Sequence, residues 1–65
     1  MEKVIEIITI DNKSIKVIAT EEELKRNIEL AQKGYFMTFK ELEWRTQITF
    51  NTANVIAINN LGKWR

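Results

Sequence analysis

The rhythm of apolar and polar positions changes along this chain, and each rhythm predicts an element. Lys3–Ile10 (Lys-Val-Ile-Glu-Ile-Ile-Thr-Ile) is dense in β-branched residues and reads as a first strand. Asp11-Asn12-Lys13-Ser14 supplies turn formers, and Ile15–Ala19 resumes the strand pattern. Treating those four residues as the loop pairs Ile10 with Ile15 and Ile8 with Val17, and on the other face Ile7 with Ile18 and Thr9 with Lys16. A two-residue Asp11-Asn12 turn would set Ile10 against Lys13 and Glu6 against Val17. Apolar pairing sets register, so the four-residue loop is the preferred reading.

Thr20-Glu21-Glu22-Glu23 has the spacing of a capping box, in which the Thr20 hydroxyl accepts from the Glu23 amide and the Glu23 carboxylate reaches back. Three acids in the first turn also suit the positive end of the helix dipole. Leu24, Ile28, Ala31 and Tyr35 recur at the helical period, and Gly34 is the natural residue just past the end. The spacing predicts a helix over Glu21–Lys33.

Beyond it the period returns to two. Tyr35–Phe39 predicts a strand with Tyr35, Met37 and Phe39 on one face, and Lys40-Glu41-Leu42-Glu43 a turn or bulge. Trp44–Phe50 alternates, which puts Trp44 in phase with Ile48 and Phe50 and predicts a core tryptophan. Asn51–Asn54 reads as a turn, with Asn51 capping a single helical turn. Val55–Asn59 is a last strand, and residues 62–65 form a loose tail. The expected architecture is one α+β domain over residues 1–65: a small antiparallel sheet of about five strands with one helix against one face, in the order β-β-α-β-β-β.

Length makes self-association relevant. A chain of 65 residues buries only about 60% of its unfolded surface, so its stability is marginal without added support. It has neither Cys nor His, which removes disulfides, thiolate metal sites and the commonest zinc ligand and general base. Oligomerisation is the remaining route. In the preferred register Val4, Ile8, Ile10, Ile15 and Val17 fill one face of the first hairpin, yet Ile5, Ile7 and Ile18 make the other face apolar too. A single helix covers a single face. The second face is therefore expected to curl into a small barrel or to meet a second copy, giving a homodimer whose interface includes Ile5, Ile7 and Ile18. The plain alternative is a few surface isoleucines in an Ile-rich chain.

Composition says less. The apolar runs fall far short of the roughly 20 residues of a membrane span, and Met1-Glu2-Lys3 does not begin like a secretory signal. With no Cys, a cytoplasmic location is expected. Heavy use of Ile, Lys, Asn and Glu suits an AT-rich genome, and the chain looks like the small accessory proteins of phages and other mobile elements. That likeness carries no site.

No catalytic constellation is present, and neither cofactor nor metal is expected. Gly34 and Gly62 are too far apart for a phosphate-cradling loop, and Ser14, the only serine, has no base to activate it. Glu21, Glu22 and Glu23 are better explained by helix-start electrostatics than by metal coordination, and Glu41 and Glu43 by a solvated turn than by acid–base chemistry. The chain is thus expected to work by binding, not catalysis. The leading expectation is a small protein-binding accessory or regulatory module, with Trp64 and Arg65 as candidate anchors because Trp and Arg dominate binding hot spots. The other reading of Trp64, preferred because a marginal core needs the area, is a lid closing the end of the core. The alternative is a nucleic-acid-binding accessory factor using Arg45, Lys63, Trp64 and Arg65, where basic and aromatic residues interleave. A net charge of +1 weighs against it, since such domains are typically far more basic. A third expectation is a structural or assembly protein of a phage or mobile element, in which self-association is itself the function.

Overall fold

The computed structural model describes residues 1–63. The strands β1 (Glu2–Thr9), β2 (Ser14–Thr20), β3 (Met37–Glu41), β4 (Gln47–Phe50) and β5 (Val55–Lys63) form one antiparallel sheet, and α1 spans Glu21–Gln32. Across the sheet the order is β4-β3-β2-β1-β5. The expected α+β architecture and element order are therefore found.

The first hairpin is built differently from the preferred reading. Thr9 N–H donates to Lys13 O and Asn12 N–H to Thr9 O, so the loop is the three residues Ile10-Asp11-Asn12. Asn12 has φ of 63°, and Asn is among the few non-glycine residues that tolerate it. This is the three-residue hairpin in which a turn is followed by a left-handed residue. It shifts the register by an odd number of residues and so exchanges the faces. Ile5 now opposes Val17, Ile7 opposes Ile15, and Glu6 gains Lys16 as a cross-strand partner of opposite charge.

That exchange decides the core. Ile5 and Ile7 are 0% exposed beneath the helix, in one cluster with Val17, Ala19, Leu24, Met37, Phe39 and Phe50. Phe39 and Phe50 meet edge to face, with ring centroids 6.3 Å apart. Ile18 points the other way. It is only 2% exposed but stands outside this cluster, with Val4 and Lys40 as its cross-strand neighbours.

The helix begins with the expected box: Glu23 N–H donates to Thr20 Oγ1 at 3.1 Å, and Thr20 N–H to Glu23 Oε1 at 2.9 Å. It ends with Tyr35 N–H on Leu30 O and Gly34 N–H on Ala31 O, the paired bonds of a Schellman motif, and Gly34 takes φ of 81°. Its buried face includes a polar residue that the apolar stripe does not reveal. Asn27, 7% exposed, donates to Glu23 O and accepts from Thr38 N–H. β2 and β3 pair only at Val17–Glu41 and Ile18–Lys40, so Thr38 lies beyond their common ladder and the helix supplies its partner.

The second half departs from the expected strand ends. β3 runs on to Glu41, and the chain then turns through Leu42–Thr46, closed by Arg45 N–H on Glu41 O and Glu41 N–H on Thr46 O. Arg45 has φ of 56°, and the Glu41 carboxylate takes the Trp44 N–H at 2.7 Å. Trp44 is thus a loop residue, 76% exposed, not the core residue its phase predicts. Asn51 does cap a 3-10 turn over Thr52–Asn54. β5 is longer than expected. Gly62 and Lys63 pair with Val4 and Lys3, so these two residues of the expected loose tail are strand.

Candidate protein-interaction surface

The two edges of the sheet are unequal. β4 is four residues long, and a very short edge strand offers little to a foreign strand. β5 is nine residues long, and Val55–Gly62 carries no charged side chain. Lys, Pro, inward-pointing charge and bulges are the usual guards of an edge, and here Lys63 and irregular pairing guard the two ends of β5. Register shifts against β1 at Val4/Ile5 and Ile8/Thr9 leave Ala57–Asn60 as the regular stretch. The backbone of β5 bonds to β1 on one side; otherwise Val55 N–H reaches Thr52 O and Gly62 N–H the Asn60 side chain. Its outer side is open among the described residues.

Beside this edge runs an apolar groove. α1 packs over β2 and β3, leaving the β5 side of the same face without a helix above it. Ile28 and Ala31 form one wall, and the consecutive residues Val55, Ile56, Ala57 and Ile58 form the other. Ile56 is bulged between Val55 and Ala57, which pair with Thr9 and Ile8, so Val55 and Ile58 both reach the core side and the groove follows this irregular stretch of β5. Ile56 is 61% exposed there, and Ile28 is exposed on the helix. Exposed Tyr35 and Phe36 lie near its end, where Thr52 Oγ1 donates to Tyr35 O.

The residues expected to form an interface or bind nucleic acid fall in several places. Ile5 and Ile7 are core residues and offer no surface, because the actual register turns them under the helix. Ile18 is buried on the opposite face. Arg45 lies 3.6 Å from Glu2, so its cation is set against a carboxylate, and Lys63 is cross-strand to Lys3, which pairs with Glu21. Trp64 and Arg65 lie outside the described residues. The groove was missed in the sequence because it depends on where the helix sits over the sheet, which no periodicity specifies.

The acids do structural work. Glu23 closes the capping box, and the Thr20 backbone N–H holds its carboxyl below the ordinary 4.5. Glu6, on the face away from the helix, accepts from Ser14 Oγ at 2.6 Å and Asn59 Nδ2 at 3.1 Å, tying β1 to β2 and β5. Those two hydrogen bonds, Ser14's first, lower its pKa. Among the described residues no group of three acidic, Cys or His side chains is placed to hold a metal ion, and no helix is long and apolar enough to cross a membrane. No protein-family model, curated protein or solved structure matches this chain, so no relative supplies a role for any of these residues.

Proposed function

We propose that the protein is a small protein-binding module that acts by occupying a partner's surface, through the open β5 edge and the groove between β5 and α1. The observation that supports this is the apolar groove meeting an uncharged, unpaired strand edge. An extended segment laid there gains main-chain hydrogen bonds from β5 and buries alternate side chains against Ile28 and Ile58, which is recognition by strand addition. A charged segment would lose hydration in the groove with no partner charge to replace it.

The test is affinity capture from lysate after nuclease treatment, comparing the natural chain with Ile28→Lys. Ile28 is partly exposed, so the variant should fold, as circular dichroism will check. Capture of a partner by the natural chain and its loss in the variant supports the reading. Capture that the variant leaves unchanged removes the groove from it, and capture abolished by nuclease replaces it with nucleic-acid binding.

Nucleic-acid binding has one observation in its favour. Tyr35, Phe36 and Trp44 are all exposed, close in sequence to Lys33 or Arg45, as base-stacking aromatics would be. Against it stand the net charge of +1 and the carboxylates of Glu2 and Glu21 beside Arg45 and Lys3.

A further inference from the structure

The geometry points to a second copy of this chain as an occupant of the β5 edge: two β5 strands pair antiparallel about a two-fold axis, joining two five-stranded sheets into one. This deepens, and rests on, the reading of the β5 flank as the interaction surface. Antiparallel pairing of identical edges is two-fold symmetric by construction, so one strand is its own complement. Charge permits it. Val55–Gly62 is neutral, and an axis through the regular Ala57–Asn60 stretch sends the two Lys63 residues to opposite ends, so no like charges meet across the axis. β4 offers no equivalent, because the whole strand is four residues, whereas β5 runs on past its regular stretch at both ends.

Area sets the strength. Nine residues at about 3.4 Å each span roughly 30 Å. With no helix above it this flank is one sheet thick, about 10 Å, so it offers roughly 300 Å² per copy, or about 600 Å² for the pair, the size of a weak, transient contact. The dimer should accordingly be weak, forming only as the concentration approaches the submillimolar range. An axis perpendicular to the sheet keeps both helices on one face. The two grooves then lie side by side across it as one apolar trough, which either copy alone only half forms.

Light scattering over a concentration series reaching the submillimolar range tests this. The expected result is a mass rising toward twice that of the chain. The double variant Ile56→Lys/Leu61→Lys alters two exposed β5 side chains, 61% and 53% exposed, and sets four new cations along the joint. It should raise the half-dissociation concentration at least tenfold, while Trp44→Lys, on the β3–β4 loop, leaves it unchanged. Amide exchange supplies a readout that needs no variant: in Ala57–Asn60, the outward-facing amides should gain protection as concentration rises. A chain that stays monomeric throughout overturns the inference, as does a dimer that survives the double variant without new protection in β5. A monomer whose partner capture is still lost in Ile28→Lys overturns the second copy and leaves the protein-binding reading standing. A dimer of this kind without groove-dependent capture supports the second copy and overturns that reading.

Discussion

The side-chain oxygen of Asn27 accepts the backbone N–H of Thr38 at 3.0 Å, where α1 lies against the point at which β3 leaves β2. Its amide nitrogen is spent on Glu23 O at 2.9 Å, so one buried carboxamide joins two elements. Asn27→Ala removes the partner of a part-buried N–H. It should cost about 1–3 kcal/mol in urea denaturation, the penalty for an unsatisfied buried donor. A change below about 0.5 kcal/mol, the range of an ordinary surface substitution, would show that water replaces the carboxamide.

At the helix start, Thr20→Ala should destabilise by about 0.5–2 kcal/mol, because Glu23 N–H loses its acceptor. The same box predicts a pH dependence. The Glu23 carboxyl is held below its ordinary 4.5 in the fold, so the unfolded chain binds more protons as pH falls and the folded state loses stability. Its contribution is present above about pH 4.5 and disappears as pH drops through the lower folded value. Glu23→Gln keeps an acceptor at that position without the titration. Acid melts of this variant should be flatter below pH 4.5 than those of the natural chain.

Gly34→Ala tests the other end. A Cβ there meets nothing within 4 Å, so the cost is conformational alone: φ of 81° should make it about 1–2 kcal/mol. Gly34→Asn should cost less, because Asn tolerates that region better. Thermal melts of the two variants side by side give the comparison.

Trp44→Ala should shift stability by no more than about 0.5 kcal/mol, since the ring is 76% exposed. A buried tryptophan would cost about 3–5 kcal/mol, so chemical denaturation separates the two clearly.

Why Trp44 misleads is instructive. Its phase with Ile48 and Phe50 is real, but phase carries across a turn only if the backbone does, and Arg45 breaks it with φ of 56°. Nothing in the identity of an arginine announces a left-handed residue. Asn12 does announce one, yet apolar pairing over Ile10 and Ile15 favoured the four-residue loop, and the misplaced register carried Ile5 and Ile7 to the wrong face. The helix was legible to its first hydrogen bond, because Thr20, Glu23 and Gly34 act through local chemistry. Asn27 was not. Its partner, Thr38, lies 11 residues away on a strand whose divergence from β2 is a tertiary fact. The β5 flank hid for the same reason.

Labelled single- and double-stranded DNA and RNA, titrated at low salt, should bind no tighter than about 10⁻⁵ M, the range of weak non-specific association. Any binding should weaken steeply as salt rises, because phosphate contacts release counterions. Submicromolar affinity at physiological salt would place the exposed aromatics of Tyr35, Phe36 and Trp44 at the centre of the function.

β1 is an inner strand, and its neighbours belong to different moments in the life of the chain. β2 follows it directly, whereas β5 is the last of the described elements; the hydrogen-bonded pair Glu6 and Asn59 lies 53 residues apart. A nascent chain can close the β1–β2 hairpin and wind α1 early, since both use near neighbours. It cannot seal the outer side of β1 until everything between has been made and ordered. Long-range pairing of this kind slows folding from the microseconds of local helical folds toward milliseconds or longer. In that interval one side of β1 is an unpaired ladder. A substitution that delays β5, even one harmless to the finished fold, should therefore appear first as lost yield or aggregation during synthesis.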